Sequence, residues 1–281
     1  MIGESKNVSF IKSVIIAFGM FSAIPVPRID WNGKNMRYMM AAFPLVGVVI
    51  AILCGGWFIL GQILSCVHKG FSPLFMALGF TLIPVFVTGG IHLDGFMDTC
   101  DALGSHASRE KKLEILKDSH SGAFAVLGCV IYFLCYFVLS LEIFNILCGQ
   151  ENPRRFANHF AQLMAFLPVL SIFVISRLLS AFAVATFPIA KDSGLVHTFA
   201  TKSAKRFTAI WSYFWFLVIS GGLIYLFNFE GIAFVAISLS MLCFYYVVAV
   251  RNFGGITGDT AGWFVQICEL AGLAVFFIGL R

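Results

Sequence analysis

The sequence predicts an all-α polytopic integral membrane protein, a helical bundle of about seven spans preceded by an N-terminal segment of ambiguous placement. Three observations carry this. Of 281 residues, 59% are hydrophobic and only 12% charged. Mean hydropathy is +0.91, far from that of a soluble domain, which could not hide so much apolar surface. Finally, several unbroken apolar runs approach or exceed the roughly 20 residues needed to cross a hydrocarbon core of about 30 Å.

Taken in chain order, the first apolar stretch, 10–26, lacks a small-residue cleavage site and runs into Pro25, Pro27 and Arg28. It therefore reads as a short span or an interfacial element and not as a secretory signal. Apolar runs between polar breaks then place spans at 39–66, 71–93, 121–149, 158–187, 208–228, 231–250 and 258–280. No long hydrophilic stretch and no internal repeat divides them, so residues 1–281 are expected to form one membrane-embedded domain. Eight scattered cysteines, without a CxxC pair, predict small buried hydrophobes and neither disulfides nor a zinc site.

Lys and Arg set the expected orientation. With 94–120 on the cytoplasmic side, that side receives Arg28, Lys34, Arg37, Arg109, Lys111, Lys112, Lys117, Lys191, Lys202, Lys205, Arg206 and Arg251. The other side receives Lys69, Arg154, Arg155 and Arg281. Twelve cations against four favour a multi-pass protein of the plasma (inner) membrane with 94–120 facing the cytoplasm. The net charge of +5 is explained by this topology, and no nucleic-acid partner is expected.

Chemistry concentrates in Gly89-Gly90-Ile-His92-Leu-Asp94-Gly95-Phe-Met-Asp98-Thr-Cys-Asp101-Ala-Leu-Gly104: six of the fourteen acids fall between Asp94 and Asp118. On a helix, Asp94, Asp98 and Asp101 stand at i, i+4 and i+7, one face of mutually repelling carboxylates. Such a face invites a hard cation; Mg²⁺ takes one or two carboxylates and leaves room for water and a substrate phosphate. A solvated acidic face is the plain alternative. Gly90 and Gly95 let backbone approach a ligand, and His92 is placed to bond a phosphate or orient an aspartate.

Downstream, 109–122 reads as an amphipathic interfacial helix with Leu113 and Leu116 on its apolar side. Its cations can neutralise phosphate charge, and Lys117, Asp118 and Ser119 are the members of this segment to test first. Arg177 lies inside an apolar run, where a charge costs at least ~2.5 kcal/mol, so a functional or paired role is expected. Near the C-terminus, Gly254-Gly255-Ile-Thr257-Gly258-Asp259-Thr260 starts the last span. Asp259, Gly262, Gln266 and Glu269 follow on one polar face that should point into the bundle. Either Thr257 or Asp259 would serve as the helix N-cap.

These residues resemble the cobalamin synthase family, the adenosylcobinamide-GDP ribazoletransferases of late cobalamin biosynthesis. The resemblance rests on Gly-Gly-x-His-x-Asp-Gly-x-x-Asp-x-x-Asp at 89–101, Lys-Leu-Glu-Ile-Leu-Lys-Asp-Ser at 112–119 and Gly-Gly-x-Thr-Gly-Asp-Thr at 254–260, in that order. Pro25-Val-Pro27, Ser176-Arg177, Pro188-Ile-Ala-Lys191 and Gly194-Leu195 extend it over nearly the whole length. Leu93 departs from the pattern, since many members carry Glu there, so a Glu at that position is not indispensable.

The resemblance implies an Mg²⁺-dependent transfer of adenosylcobinamide phosphate from its GDP-linked donor to α-ribazole or α-ribazole 5′-phosphate, releasing GMP. It gives Asp94, Asp98 and Asp101 metal and base duties, with Lys117 beside them in catalysis. Lys117, Arg177 and Arg251 become phosphate contacts, and Asp259 a second acid or ribose contact. Gly90, His92, Gly95, Asp118, Ser119 and Thr257 complete the expected substrate-binding set. Partners would be the two substrates and the lipid bilayer, with assembly into a homo-oligomer left open.

Two rivals compete. A CDP-alcohol phosphotransferase also uses an acidic helix end, but its pattern is not met, because no second Asp-x-x-x-Asp follows. A secondary transporter would hold its acids at mid-membrane between repeats, whereas here they sit at span ends beside basic loops.

Overall fold

In the computed structural model, residues 6–67, 71–148, 159–190 and 204–280 are described. Lys69, Arg154, Arg155, Lys191, Gly194, Leu195, Lys202 and Arg281 lie outside them. The described chain is helical, with a single isolated parallel bridge between Ile189 and Ile256.

α1 (Lys6–Phe21) holds an apolar stretch, Phe10–Phe21, that is too short to span alone. It packs beside α2 (Met39–Ala42): the Ser13 hydroxyl donates to Asn35 O at 2.5 Å, and Phe10 meets Tyr38. α3 (Pro44–Val67) continues from α2, so that Met39–Leu64 forms one apolar span.

α4 (Pro73–Thr88) starts on Ser72, whose side chain accepts from Phe75 N. It ends where Gly89 and Gly90 take φ of +64° and +79°, a left-handed conformation that glycine adopts without strain. The chain therefore turns by 94° into α5 (Ile91–Gly104). The run expected as one span over 71–93 is thus corrected to α4 followed by an elbow. α5 carries three acids in its 14 residues.

α6 (Arg109–Ile115) is seven residues long. Its apolar side, with Leu113 and Leu116, meets Ala102 and Phe253, so that side is docked on protein. α7 (Ala123–Cys148) and α8 (His159–Thr186) are spans close to the expected bounds.

α9 (Lys205–Phe253) has 49 residues, and a straight helix of that length would run roughly 70 Å. It is broken at Asn228, where φ is +46° and ψ −111°. A Cβ on Gly231 would stand 2.8 Å from Ile224 Cα, seven residues back, so the chain reverses there. The two arms correspond to the expected spans 208–228 and 231–250. α10 (Gly258–Leu280) is the last span.

One buried apolar cluster threads these helices. Its tightest seam joins α3 to α8: a Cβ on Gly47 would overlap Phe173 O and lie 2.9 Å from Arg177 Cδ. At one end of the bundle, Ala204 N donates to Arg37 O, Lys112 Nζ to Asn252 Oδ1 and Ala23 N to Val87 O. These contacts gather Arg37, Arg109, Lys111, Lys112, Lys117, Lys205, Arg206 and Arg251 at that end. No disulfide joins the described cysteines.

Gly47→Val is expected to lower the thermal midpoint in detergent, at a cost of about 1–3 kcal/mol for overpacking the α3–α8 seam. Gly56→Ala, with no atom within 4 Å of the added methyl, should leave stability unchanged or raise it by up to about 1 kcal/mol. Thermal unfolding of both variants by intrinsic fluorescence checks the contrast.

Candidate active site

α5 presents two faces. His92, Gly95, Phe96, Thr99 and Ala102 are buried in the bundle. Asp94 is exposed, while Asp98 and Asp101 are half-buried on the open side. The helical spacing expected from the sequence is therefore realised.

A fourth acid joins from α10. Backbone of Asp259 occupies the space beside Gly95, where a Cβ would stand 2.8 Å from Asp259 Cα. Gly262 makes the same kind of approach to His92, with its Cβ position 3.0 Å from His92 O. α5 and α10 thus touch backbone to backbone through two glycines, which brings Asp259 close enough for its charge to act on Asp98. Gly95 makes this helix contact possible.

The electrostatic consequence falls on Asp98. Burial, followed by the charges of Asp94, Asp259 and Asp101, pushes its carboxyl up to about 6. Four carboxylates with this mutual repulsion favour a cation or protons. Among the described residues, however, no three His, Cys, Asp or Glu side chains stand close enough to hold a metal by themselves.

Asp101 accounts for part of this. Its carboxylate lies over Gly122, where a methyl group would overlap it, and Oδ1 accepts from Ala125 N at 3.4 Å. It faces the N-terminus of α7, where unpaired amides and the helix dipole favour an anion.

The first turn of α10 is held by paired threonines. Thr260 N donates to Thr257 Oγ1 at 3.1 Å and Thr257 N to Thr260 Oγ1 at 2.8 Å. Thr257 is therefore the cap, with its hydroxyl 3.5 Å from Asp259 Oδ2. The cap sits in a glycine turn in which Gly254 has φ +76° and is covered by the Arg109 guanidinium.

Around the acids stand cations and polar groups of the loop 105–122. Lys117, Asp118, Ser119 and His120 are exposed. Asp118 accepts from His120 N at 3.0 Å and lies 2.8 Å from His120 Nδ1, a contact that holds the Asp118 carboxyl below its usual range. Arg251 is exposed at the end of α9. Gly90 has open space beside it, unlike Gly95.

Two expected contacts lie elsewhere. His92 is buried, with its ring between Phe21 and Phe43 at centroid distances of 6.2 and 5.4 Å, away from the carboxylates. Arg177, fully buried, pairs with Glu269 and donates to Phe173 O at 3.0 Å. It is corrected from a phosphate contact to the paired alternative, because the pair closes around it inside the bundle.

The sequence reading placed Glu269 on the inward face of α10 but did not match it to Arg177. Two opposite charges in apolar spans were the available signal. Lys112 bonding Asn252 and Arg109 covering Gly254 were missed as well, and nothing in their spacing announces them.

Gly95→Ala is expected to force α5 from Asp259 and abolish any activity of this site while leaving insertion intact. Full activity in purified Gly95→Ala would show that the α5–α10 approach is irrelevant to the chemistry.

Comparison with known proteins now bears on this geometry. The family model described as cobalamin-5-phosphate synthase matches residues 13–277. A relative from Lachnoclostridium phytofermentans, named adenosylcobinamide-GDP ribazoletransferase, is 38% identical over 95% of this chain and 94% of its own. Relatives of the same name from Clostridium perfringens (strain SM101) and Clostridium botulinum (strain Alaska E43) are 30% and 29% identical. The first covers 96% of this chain and 98% of its own; the second, 93% and 95%. No solved structure matches. With the match running from α1 into α10 and through every segment of the carboxylate site, the chain belongs to the cobalamin-5-phosphate synthase family.

Proposed function

We propose that this chain is an adenosylcobinamide-GDP ribazoletransferase, joining the cobinamide phosphate of its GDP-linked donor to the 5′ oxygen of α-ribazole or α-ribazole 5′-phosphate and releasing GMP. The observation that carries this reading is the convergence of Asp94 and Asp98 on α5 with Asp259 on α10 at the cationic end of a membrane bundle. Family membership and the names of the relatives supply the substrates.

The donor set fits Mg²⁺. Carboxylate oxygens are hard ligands, and Mg²⁺ is commonly held by one or two of them while substrate phosphates complete its shell. Asp94 and Asp98 would hold it, with Asp259 and Asp101 adding negative field. Bound there with the donor, the ion would neutralise diphosphate charge.

The chain's own residues do the remaining work. Attack of a hydroxyl oxygen on phosphorus requires alignment and charge neutralisation more than covalent help. Lys117 and Arg251, exposed at the rim, supply positive charge for the donor phosphates. Thr257 and the backbone at Gly90 offer polar groups and close approach at the same end. The positive-inside bias places this end on the cytoplasmic side of the plasma membrane.

Purified protein in detergent, given Mg²⁺ and the GDP-linked cobinamide, is expected to release GMP only when α-ribazole or its phosphate is added. Acceptor-independent uptake into liposomes, without GMP, would point to transport instead. Asp94→Asn and Asp98→Asn should each lower turnover by at least about 100-fold with normal membrane insertion. Lys117→Ala should raise KM for the donor more than for the acceptor; equal changes would contradict a phosphate role.

A further inference from the structure

The Arg177–Glu269 pair touches neither substrate nor carboxylate cluster, yet it is incompletely satisfied. Arg177 spends Nη1 on Glu269 Oε1, Phe173 O and Ser176 Oγ, and Ser176 Oγ also donates to Glu269 Oε1 at 3.2 Å. Arg177 Nε, Glu269 Oε2 and the Tyr136 hydroxyl are buried without a hydrogen-bond partner. Leaving such groups unsatisfied is costly. Beside Arg177 and Tyr136 lies a cavity of about 10 Å³ lined by polar Thr81, Thr88, Tyr132, Tyr136, Arg177 and Gln266 together with apolar Pro84, Val85 and Leu93. That volume is close to the least that holds one water, and the lining is polar enough to bind it.

We propose that this cavity holds one ordered water, accepting from Arg177 Nε and sharing a hydrogen bond with the Tyr136 hydroxyl. The hydrated Arg177–Glu269 pair then acts as a positioning device for the carboxylate site. Glu269 and Asp259 lie on the same helix, ten residues and roughly 15 Å apart. Much of what holds α10 between them is apolar packing, which resists rotation weakly because it is non-directional. A hydrogen-bonded charge pair is directional. Turning α10 about its axis pulls Glu269 from Arg177 and, by the same angle, carries Asp259 away from Gly95. Arg177 and Glu269 are therefore positioning residues, in that they set where Asp259 meets α5. The effect on turnover rests on the function proposed above, whereas the water and the helix setting do not.

Two readouts test this independently of activity. Radiolytic hydroxyl labelling should oxidise Tyr136 or Tyr132 rapidly in the wild-type protein, although they are only 2% and 5% exposed, because a bound water is the radical source. Loss of that label is expected in the Arg177→Met/Glu269→Met double variant. Two unlabelled tyrosines in the wild type would overturn the water. In Glu269→Gln, amide exchange over 257–264 should quicken while the thermal midpoint stays near wild type; unchanged exchange would overturn the positioning role.

Kinetically, the double variant and Glu269→Gln should lose roughly 10–100-fold in kcat with KM little changed. Arg177→Lys should recover part of the loss seen in Arg177→Met. Full kcat in a folded double variant would reduce the pair to packing, and Glu269→Gln, which keeps the side-chain shape, gives the same reading if the double variant fails to fold. Wild-type protein without GMP release would defeat the proposed function and leave labelling and exchange to decide this inference.

Discussion

Lipid cannot hydrate a charge, and among the described residues Arg177 and Glu269 lie fully inside this bundle. Arg177 and Glu269 are 0% and 1% exposed, on α8 and α10, and each makes the other tolerable. Burying a pair of this kind is poor value as stability, since apolar replacements of similar volume often do as well. Its better-attested use is to fix register and rotation. Here it locks α10 to α8 while Gly47 lets α3 close on Phe173 and the Arg177 stem, so three spans share one reference point. The chemistry at the cationic end is built on helices whose setting derives from that point.

From this frame the site follows by two backbone devices. The left-handed glycines at 89 and 90 end α4 and turn the chain by 94° into the acidic helix α5. Gly95 and Gly262 then let α5 and α10 touch without side chains between them. That contact adds Asp259 to the acids around Asp98, whose carboxyl is raised first by burial and then by the charges of Asp94, Asp259 and Asp101. Surrounding cations on α6, the 116–122 loop and the end of α9 offset the field at longer range. Asp101, on the same face, also accepts from the α7 amide of Ala125, and Asp259 adds a fourth acid to the trio from a second helix.

Several features were open to inspection in the sequence. Hydropathy located the spans to within a few residues, and Asn228 marked the reversal in α9 as a polar break between two apolar runs. The i, i+4, i+7 spacing put the aspartates on one face, and the Thr257-x-x-Thr260 pattern held its own cap. These are short-range properties, set by one helix and its solvent. The elbow at Gly89–Gly90 was less legible, because two glycines beside a span read equally well as helix packing. The surroundings of His92 and Gly95 were not legible for a related reason: a residue's neighbours along the helix do not reveal which face is covered, and α10 and the Phe21 and Phe43 rings cover theirs.

By itself, then, the sequence determined that the chain is a helical membrane protein, where its helices begin and end, and which segments hold the acids and cations, because composition and periodicity act over a few turns. Tertiary structure alone decided that Asp259 joins Asp94 and Asp98, that Asp101 turns to α7, and that Arg177 belongs to Glu269. Those pairings join residues between 24 and 165 positions apart, and only the crossing of specific helices, fixed by glycine contacts and one buried ion pair, brings them within reach.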